Sequence, residues 1–339
     1  MFTACALWGL MSPVGKDAMT HGIDGITMVN FRVLGGCVLF WLTALVMRWR
    51  GAARSRAAKA AAKNRSREAT TAEAPANGAP TSAAPSAVET ATDHVSLRDK
   101  LLLAGAAVFG LVTNQCCFTI GLSLTSPANA SIVTTSMPVF AMVLSAIILH
   151  EPITGKKAGG VAMGFAGAVM LILTSAGADS DKVGNLAGDL LCLGAQCSYA
   201  LYLSLFNPLV RRHSAITVNR WMFTWASLLI VPLSLPHVVA TLSQADIPPR
   251  VWAEVAYVVV MCTYLGYILV MIGQKTLRPT VVSVYNYVQP VVAVSVSLAA
   301  GIGVFTWSQA VAMLLIFGGV WLVTKSKSRR DMGLDPLRK

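Results

Sequence analysis

The sequence predicts an all-α polytopic membrane protein, with ten transmembrane helices arranged as two inverted five-helix repeats. Three observations lead there. Apolar residues make up 55% of the 339-residue chain and charged residues only 12%, about half the charged share of an ordinary soluble domain. A soluble fold of this size could not cover its surface with so few charges, and the mean hydropathy of +0.62 agrees. The apolar residues gather in ten runs that approach the roughly 20 residues a helix needs to cross a hydrocarbon core. Two of those runs repeat one another. Helices rather than a β-barrel follow, because each backbone amide in lipid must be satisfied within its own segment, and the short alternating segments of barrel strands are absent.

The runs lie at about residues 2–16, 27–47, 101–122, 128–149, 158–176, 186–206, 218–236, 252–273, 281–301 and 305–324. The first starts at Met1 and reads as a span clipped at its N-terminus rather than a signal peptide, since no basic region precedes its apolar stretch. The expected organisation is a first repeat over 1–176, a second over 186–324 and a basic cytoplasmic tail over 325–339. Residues 49–99 form the one long connection. Its first part, GAARSRAAKAAAKNRSR, is basic and Ala-rich. The following TTAEAPANGAPTSAAPSAVETATD is rich in Ala, Thr, Ser and Pro and has Val88 as its one bulky apolar residue. Such a composition cannot bury a core and predicts a disordered loop. The basic part also suits a surface helix on anionic lipid.

Orientation comes from the placement of Lys and Arg. With the N-terminus in the cytoplasm, the outer connections hold only Lys16, Lys182 and Arg250, while Arg32 and Arg220 lie near span ends. The rest of the 27 fall in the 48–100 connection, at Lys156 and Lys157, at Arg211 and Arg212, at Lys275 and Arg278, and in the tail. Both termini are therefore expected in the cytoplasm. The net charge of +12 suggests nucleic acid at first sight. Here it sits between apolar runs and at the C-terminus, so topology explains it and no nucleic-acid partner is expected.

The fourth and ninth runs match at an offset of 152 residues. Pro127 aligns with Pro279, Pro138 with Pro290, and Ser131, Ala141 and Ser145 with Ser283, Ala293 and Ser297. The match continues into the next run, where Gly167 aligns with Gly319. It implies five spans per repeat. Five is odd, so the halves must cross the membrane in opposite senses, as in secondary transporters with a site near the midplane. Gly160 and Gly164, with Gly167 next in line, permit close helix contact within the chain or in a dimer. A monomer or weak homodimer is expected.

The chain resembles the EamA family of the drug/metabolite transporter superfamily. The residues that carry the resemblance are ACALWGLMSPVGK (4–16), NFRVLGG (30–36), the long stretch from Ser123 to Leu173 and PTVVSVYNYVQPVVAVSVSLAAGIGVFTWSQAVAMLLIFGGVWLV (279–323). The long stretch is the most specific, with its Ala-Asn-Ala-Ser start, mid-span proline and Glu-Pro exit. The resemblance covers nearly the whole chain except 49–99. In the second copy Gly301, Ile302 and Gly303 stand where the first has Leu149, His150 and Glu151, so the Glu-Pro exit is lost there. The resemblance implies movement of small metabolites, amino acids or drugs, often outward, across the plasma membrane (the bacterial inner membrane).

Polar residues inside spans are costly and point to function. A central cavity is expected to be lined by Trp8, Asn114, Gln115, Thr134, Tyr199, Tyr264, Tyr285, Asn286 and Gln289. Its occupant would be a small-molecule solute, amphipathic or cationic, held against aromatic rings. Interhelical hydrogen bonding and ordinary packing are the alternative roles for each of these residues. Pro138 and Pro290 each remove a backbone donor and can kink a helix, freeing carbonyls near mid-span. Lys16, Arg32, Asp189 and Glu254 fall toward the outer side, where they could pair across helices as a gate or, for the two carboxylates, carry a proton.

Other function classes fit less well. No Walker A sequence occurs, which argues against a self-contained ATP-driven pump. The five histidines are scattered over loops and span ends, and no base–nucleophile set is visible, so neither an enzyme nor a cofactor is expected. The seven cysteines show no CxxC spacing and sit in apolar runs, which reads as small buried thiols rather than disulfides or metal ligands. A membrane sensor or scaffold that binds a partner through the 49–99 connection is the alternative to a transporter.

Overall fold

The computed structural model describes residues 1–71, 95–124, 133–175, 186–244, 246–289, 291–292, 295 and 307–326. Regular structure is helical, and no strand occurs among the described residues. Helix α1 covers Phe2–Thr20. Gly22 comes next with φ 108°, a conformation that only glycine adopts without cost and that turns the chain back toward the membrane. The Asp24 carboxylate then accepts from the backbone amides of Ile26 and Thr27 at 3.2 and 3.3 Å, capping α2 (Gly25–Thr71). Ser96 caps α3 (Leu97–Ala107) by accepting from the amide of Asp99 at 3.1 Å.

A widened π-helical turn, Val108–Thr113, joins α3 to α4 (Asn114–Leu124). Then come α5 (Met137–Ile148), α6 (Gly155–Ser175), α7 (Leu186–Leu205) and the short α8 (Asn207–Arg212). Helix α9 (Ala215–Gln244) starts under a Ser214 cap and contains Pro232 and Pro236. A second long rod comes after it, made of α10 (Pro249–Tyr257), a π-helical Val258–Leu265 and α11 (Gly266–Thr276). The last described elements are α12 (Pro279–Val284), a 3₁₀ turn Tyr285–Tyr287 and α13 (Trp307–Thr324).

Five helices, Gly25–Ala53, Leu97–Gly121, Leu186–Leu205, Ala215–Ser243 and Pro249–Thr276, are long and apolar enough to cross a membrane, and three shorter apolar helices accompany them. Large apolar side chains cover the outside. Leu233 and Trp307 are 85% and 86% exposed, an arrangement water would oppose and lipid favours. The protein is a multi-pass membrane protein.

The helices pack in a definite set of pairs. Helix α2 lies along α9, α4 along α7, α6 along α13, and α1 along the α10–α11 rod. Helix α5 contacts α12 and α7. One core cluster joins α2, α7, α9 and α11 around Phe40, Phe223, Tyr202 and Tyr267. A second sits between α6, α12 and α13 around Tyr287, Ile316 and Val323. The small residues of α6 are used inside the chain. A Cβ on Gly319 would meet the Gly160 carbonyl oxygen at 2.6 Å and the Gly164 amide nitrogen at 2.7 Å, and the ring of Tyr287 fills the space over Gly164.

At the Glu-Pro exit, Ile148 ends α5 and His150 takes φ 52°. Glu151 then reaches across the turn to Lys157, which is 1% exposed, in an ion pair of 2.6 Å. The carboxylate thus compensates a buried ammonium at the start of α6.

The stretch 49–99 departs from its expectation in part. Helix α2 runs on to Thr71, so the basic Ala-rich part is helical rather than disordered. Ala, Arg and Lys are strong helix formers, and with a membrane-anchored helix already nucleated upstream, propagation costs little. Residues 72–94 lie outside the described residues, as do Pro290 and the tail beyond Ser326.

Candidate functional site

Helical breaks create the site. The chain turns at Thr135 and Ser136, before α5 begins, and narrows to a 3₁₀ turn at Tyr285–Tyr287. The two π turns widen the rods that face these breaks. Between them lies a cavity of about 110 Å³, lined by Trp8, Met11, Arg32, Asn114, Gln115, Phe118, Thr134, Thr135, Gln196, Tyr199, Tyr267, Asn286 and Gln289. That volume corresponds to about four waters at roughly 30 Å³ each, the scale of a small solute.

The polar lining is held in place by hydrogen bonds. Arg32 is 7% exposed. Its Nη1 donates to Gln115 Oε1 at 2.6 Å and its Nε to Thr263 Oγ1 at 3.0 Å. Gln115 Nε2 donates in turn to the Tyr267 hydroxyl at 3.1 Å. Trp8 Nε1 donates to the Cys262 carbonyl at 2.8 Å, and its ring meets Tyr267 edge-on at 5.6 Å. Asn114 Nδ2 donates to the Ala195 carbonyl, and Gln289 Nε2 to Asn286 Oδ1. These bonds link α1, α2, α4, α7 and the α10–α11 rod around one volume, and the 285–289 segment is bonded within itself.

Of the expected lining residues, Trp8, Asn114, Gln115, Thr134, Tyr199, Asn286 and Gln289 face the cavity. Tyr264 does not. Its hydroxyl lies 2.6 Å from Thr43 Oγ1 and its ring packs on Phe40. Tyr267, three residues on, takes the cavity position instead. A π turn inserts an extra residue per turn and rotates the residues beyond it, so the turn ending at Leu265 separates these two tyrosines. Tyr285 packs into the second core cluster with Tyr287 and Val281. Pro138 lies in the first turn of α5 rather than mid-helix, where its missing amide costs nothing. The regular helix breaks just before it.

The expected outer group divides. Glu254 pairs with Arg250 at 3.3 Å, and Arg250 also pairs with Asp17, joining α10 to α1. Asp24 pairs with His237 at 2.8 Å, joining the start of α2 to α9. Burial pushes the Asp24 carboxyl up, but hydrogen bonds from Thr27 and His237 and the imidazole charge outweigh it and hold the group below its ordinary value. Arg32 is absent from this cluster and sits in the cavity wall. The side chains of Lys16 and Asp189 lie outside the described residues. Met11, Phe118, Thr135, Gln196 and Tyr267 join the lining beyond the expected set. Gln196 carries the same sequence signal as Asn114, an amide inside an apolar run, whereas Met11 and Phe118 carry none.

Comparison with known proteins gives a consistent picture. The chain matches the EamA-like transporter family over residues 80–173 and 186–325. It is 26% identical to the Bacillus subtilis (strain 168) uncharacterized transporter YyaM, over 62% of this chain and 69% of that one. It is 22% identical to YetK of the same organism, also named an uncharacterized transporter, over 72% and 74%. The Escherichia coli (strain K12) uncharacterized inner membrane transporter YhbE is 28% identical over 42% and 45%. A solved crystal structure superposes with a TM-score of 0.64 at 18% identity, covering 95% of this chain and 94% of the other, which is a likeness of fold.

Proposed function

The chain belongs to the EamA-like transporter family, and on that premise we propose that it is a secondary transporter of small metabolites. Ten spans form two inverted five-helix repeats, and access to the cavity alternates between the two faces of the membrane. The observation that carries the reading is the polar cavity, whose wall takes Trp8, Arg32, Asn114 and Gln115 from the first half and Tyr199, Tyr267, Asn286 and Gln289 from the second. A volume bounded by two packed halves is where rocking of one half against the other changes access.

The packing pattern supports the repeat. Exchanging the halves maps the contact of α1 with the α10–α11 rod onto the contact of α7 with the π turn and α4. It maps the α2–α9 and α6–α13 pairs onto themselves. The two π turns fall in corresponding rods, and the breaks at Thr135–Ser136 and Tyr285–Tyr287 fall in corresponding spans. Both termini are cytoplasmic, the residence is the plasma membrane, and net movement is outward. The direction rests on the family resemblance and the orientation on the placement of Lys and Arg.

Purified protein reconstituted into vesicles loaded with a mixture of small metabolites tests the function. Protein-dependent loss of at least one solute class is expected, relative to protein-free vesicles. Folded protein that moves no solute would overturn the reading.

A further inference from the structure

The charge in the cavity wall narrows the substrate class. Arg32 is the one charged residue among the described lining, which contains no Asp or Glu. Its two protein partners, Gln115 and Thr263, are both neutral, and among the described residues it forms no ion pair. A guanidinium carries five N–H donors in a planar fork. Nε and Nη1 are engaged, and Nη2 has no hydrogen-bond partner among the described residues. The side chain is more than nine-tenths buried. A buried cation held only by neutral dipoles is costly, and costly charges inside a membrane mark solute pathways.

We infer that the cavity takes a monoanionic organic acid, whose carboxylate engages Arg32 and whose apolar body lies against Trp8, Met11 and Phe118. This rests on the reading of the cavity as the transport site. Three features set the class. Arg forks match carboxylate geometry and strengthen the bond through charge. One guanidinium offsets one charge, so a dianionic phosphate would remain half uncompensated. A purely cationic solute would enter against the Arg32 charge with no carboxylate in the described wall to receive it, which reverses the expectation of a cationic occupant raised by the aromatic rings.

Three probes with one apolar body and different charge separate the possibilities: phenylacetate, phenylacetamide and phenethylamine. Each is titrated against the detergent-purified full chain while the thermal midpoint is followed, since a ligand of the folded state raises it by mass action. Phenylacetate is expected to bind at least about tenfold more tightly than the amide, as loss of a charge-assisted pair requires, with the amine weaker still. Arg32→Gln is expected to abolish the preference for the acid, and Arg32→Lys to retain it at reduced affinity. If Arg32→Gln does not fold, the comparison of acid and amide on the wild-type chain decides. Equal binding of the three probes, preference for the amine, or no shift with any of them overturns the anion site. Acid binding without flux in vesicles would instead overturn the transport reading and leave the anion site standing.

Discussion

Gly319 of α13 faces the carbonyl oxygen of Gly160 on α6 so closely that a Cβ on Gly319 would stand 2.6 Å from it. The obstruction is backbone on both sides, with the Gly164 amide nitrogen at 2.7 Å, so no side chain can swing aside to relieve it. Without a hydrophobic driving force between helices in lipid, such backbone approach is a main source of association. Gly319→Val is therefore expected to lower stability by about 2 kcal/mol or more, the scale of overpacking in a close-packed interior. Gly194 has nothing within 4 Å of its added Cβ, and Gly194→Ala should stay within about 0.5 kcal/mol of the parent. Thermal midpoints of the two variants in one detergent check this. Equal midpoints would contradict the packing described for α6 and α13.

Binding and stability should separate at Gln115 and Tyr264. Gln115 receives Arg32 and donates to Tyr267 in the cavity wall. Gln115→Leu is expected to weaken solute binding about tenfold or more, because it removes a polar group of the cavity wall and the acceptor that orients the Arg32 guanidinium. Tyr264 bonds Thr43 outside the cavity. Tyr264→Phe should cost about 1 kcal/mol of stability and leave solute affinity unchanged. Affinity measured beside thermal midpoint for each variant tests the assignment. Loss of affinity in Tyr264→Phe would place that tyrosine in the site after all.

The outer pair Asp24–His237 gives a pH dependence with a defined sign. The Asp24 carboxyl is held below its ordinary value, so its charged form favours the folded state. That contribution is fully present above the ordinary aspartate value near 3.8 and is lost as pH falls through the lower value of the folded protein. Asp24→Asn should thus be less stable than the parent near pH 6, with the gap closing toward pH 3. Midpoints measured across that range decide it. A gap that widens on acidification would show that the carboxyl is not stabilised in its charged form.

The stretch between α2 and α3 offers a topological check. A single cysteine placed at Ser82, on a cysteine-free background, should react only with reagents that reach the cytoplasm. Replacing residues 72–92 with a short Gly/Ser linker should preserve folded yield, since closure entropy changes slowly with length. Labelling of Ser82→Cys from outside would reverse the orientation. Loss of folded protein on shortening would favour a partner-binding role for this stretch.

Span length against bilayer thickness and the shortage of charge are local properties, so a helical membrane protein is legible from the residues alone. The in-span amides Asn114, Gln115, Asn286 and Gln289 are legible too, because lipid would penalise them wherever the helices turned. Which aromatic ring joins them is a matter of packing. Tyr264 and Tyr267 are equivalent in chemistry and lie three residues apart, and only the phase set by the π turn Val258–Leu265 sends one to Phe40 and the other to Gln115. Arg32 shows the same limit. Its place near a span end suggests an outer gate, whereas packing of α2 against α4 and the second rod turns it into the cavity wall. Helices apolar on every face carry little record of their rotation, so the depth and direction of a polar side chain emerge only when the helices are packed together.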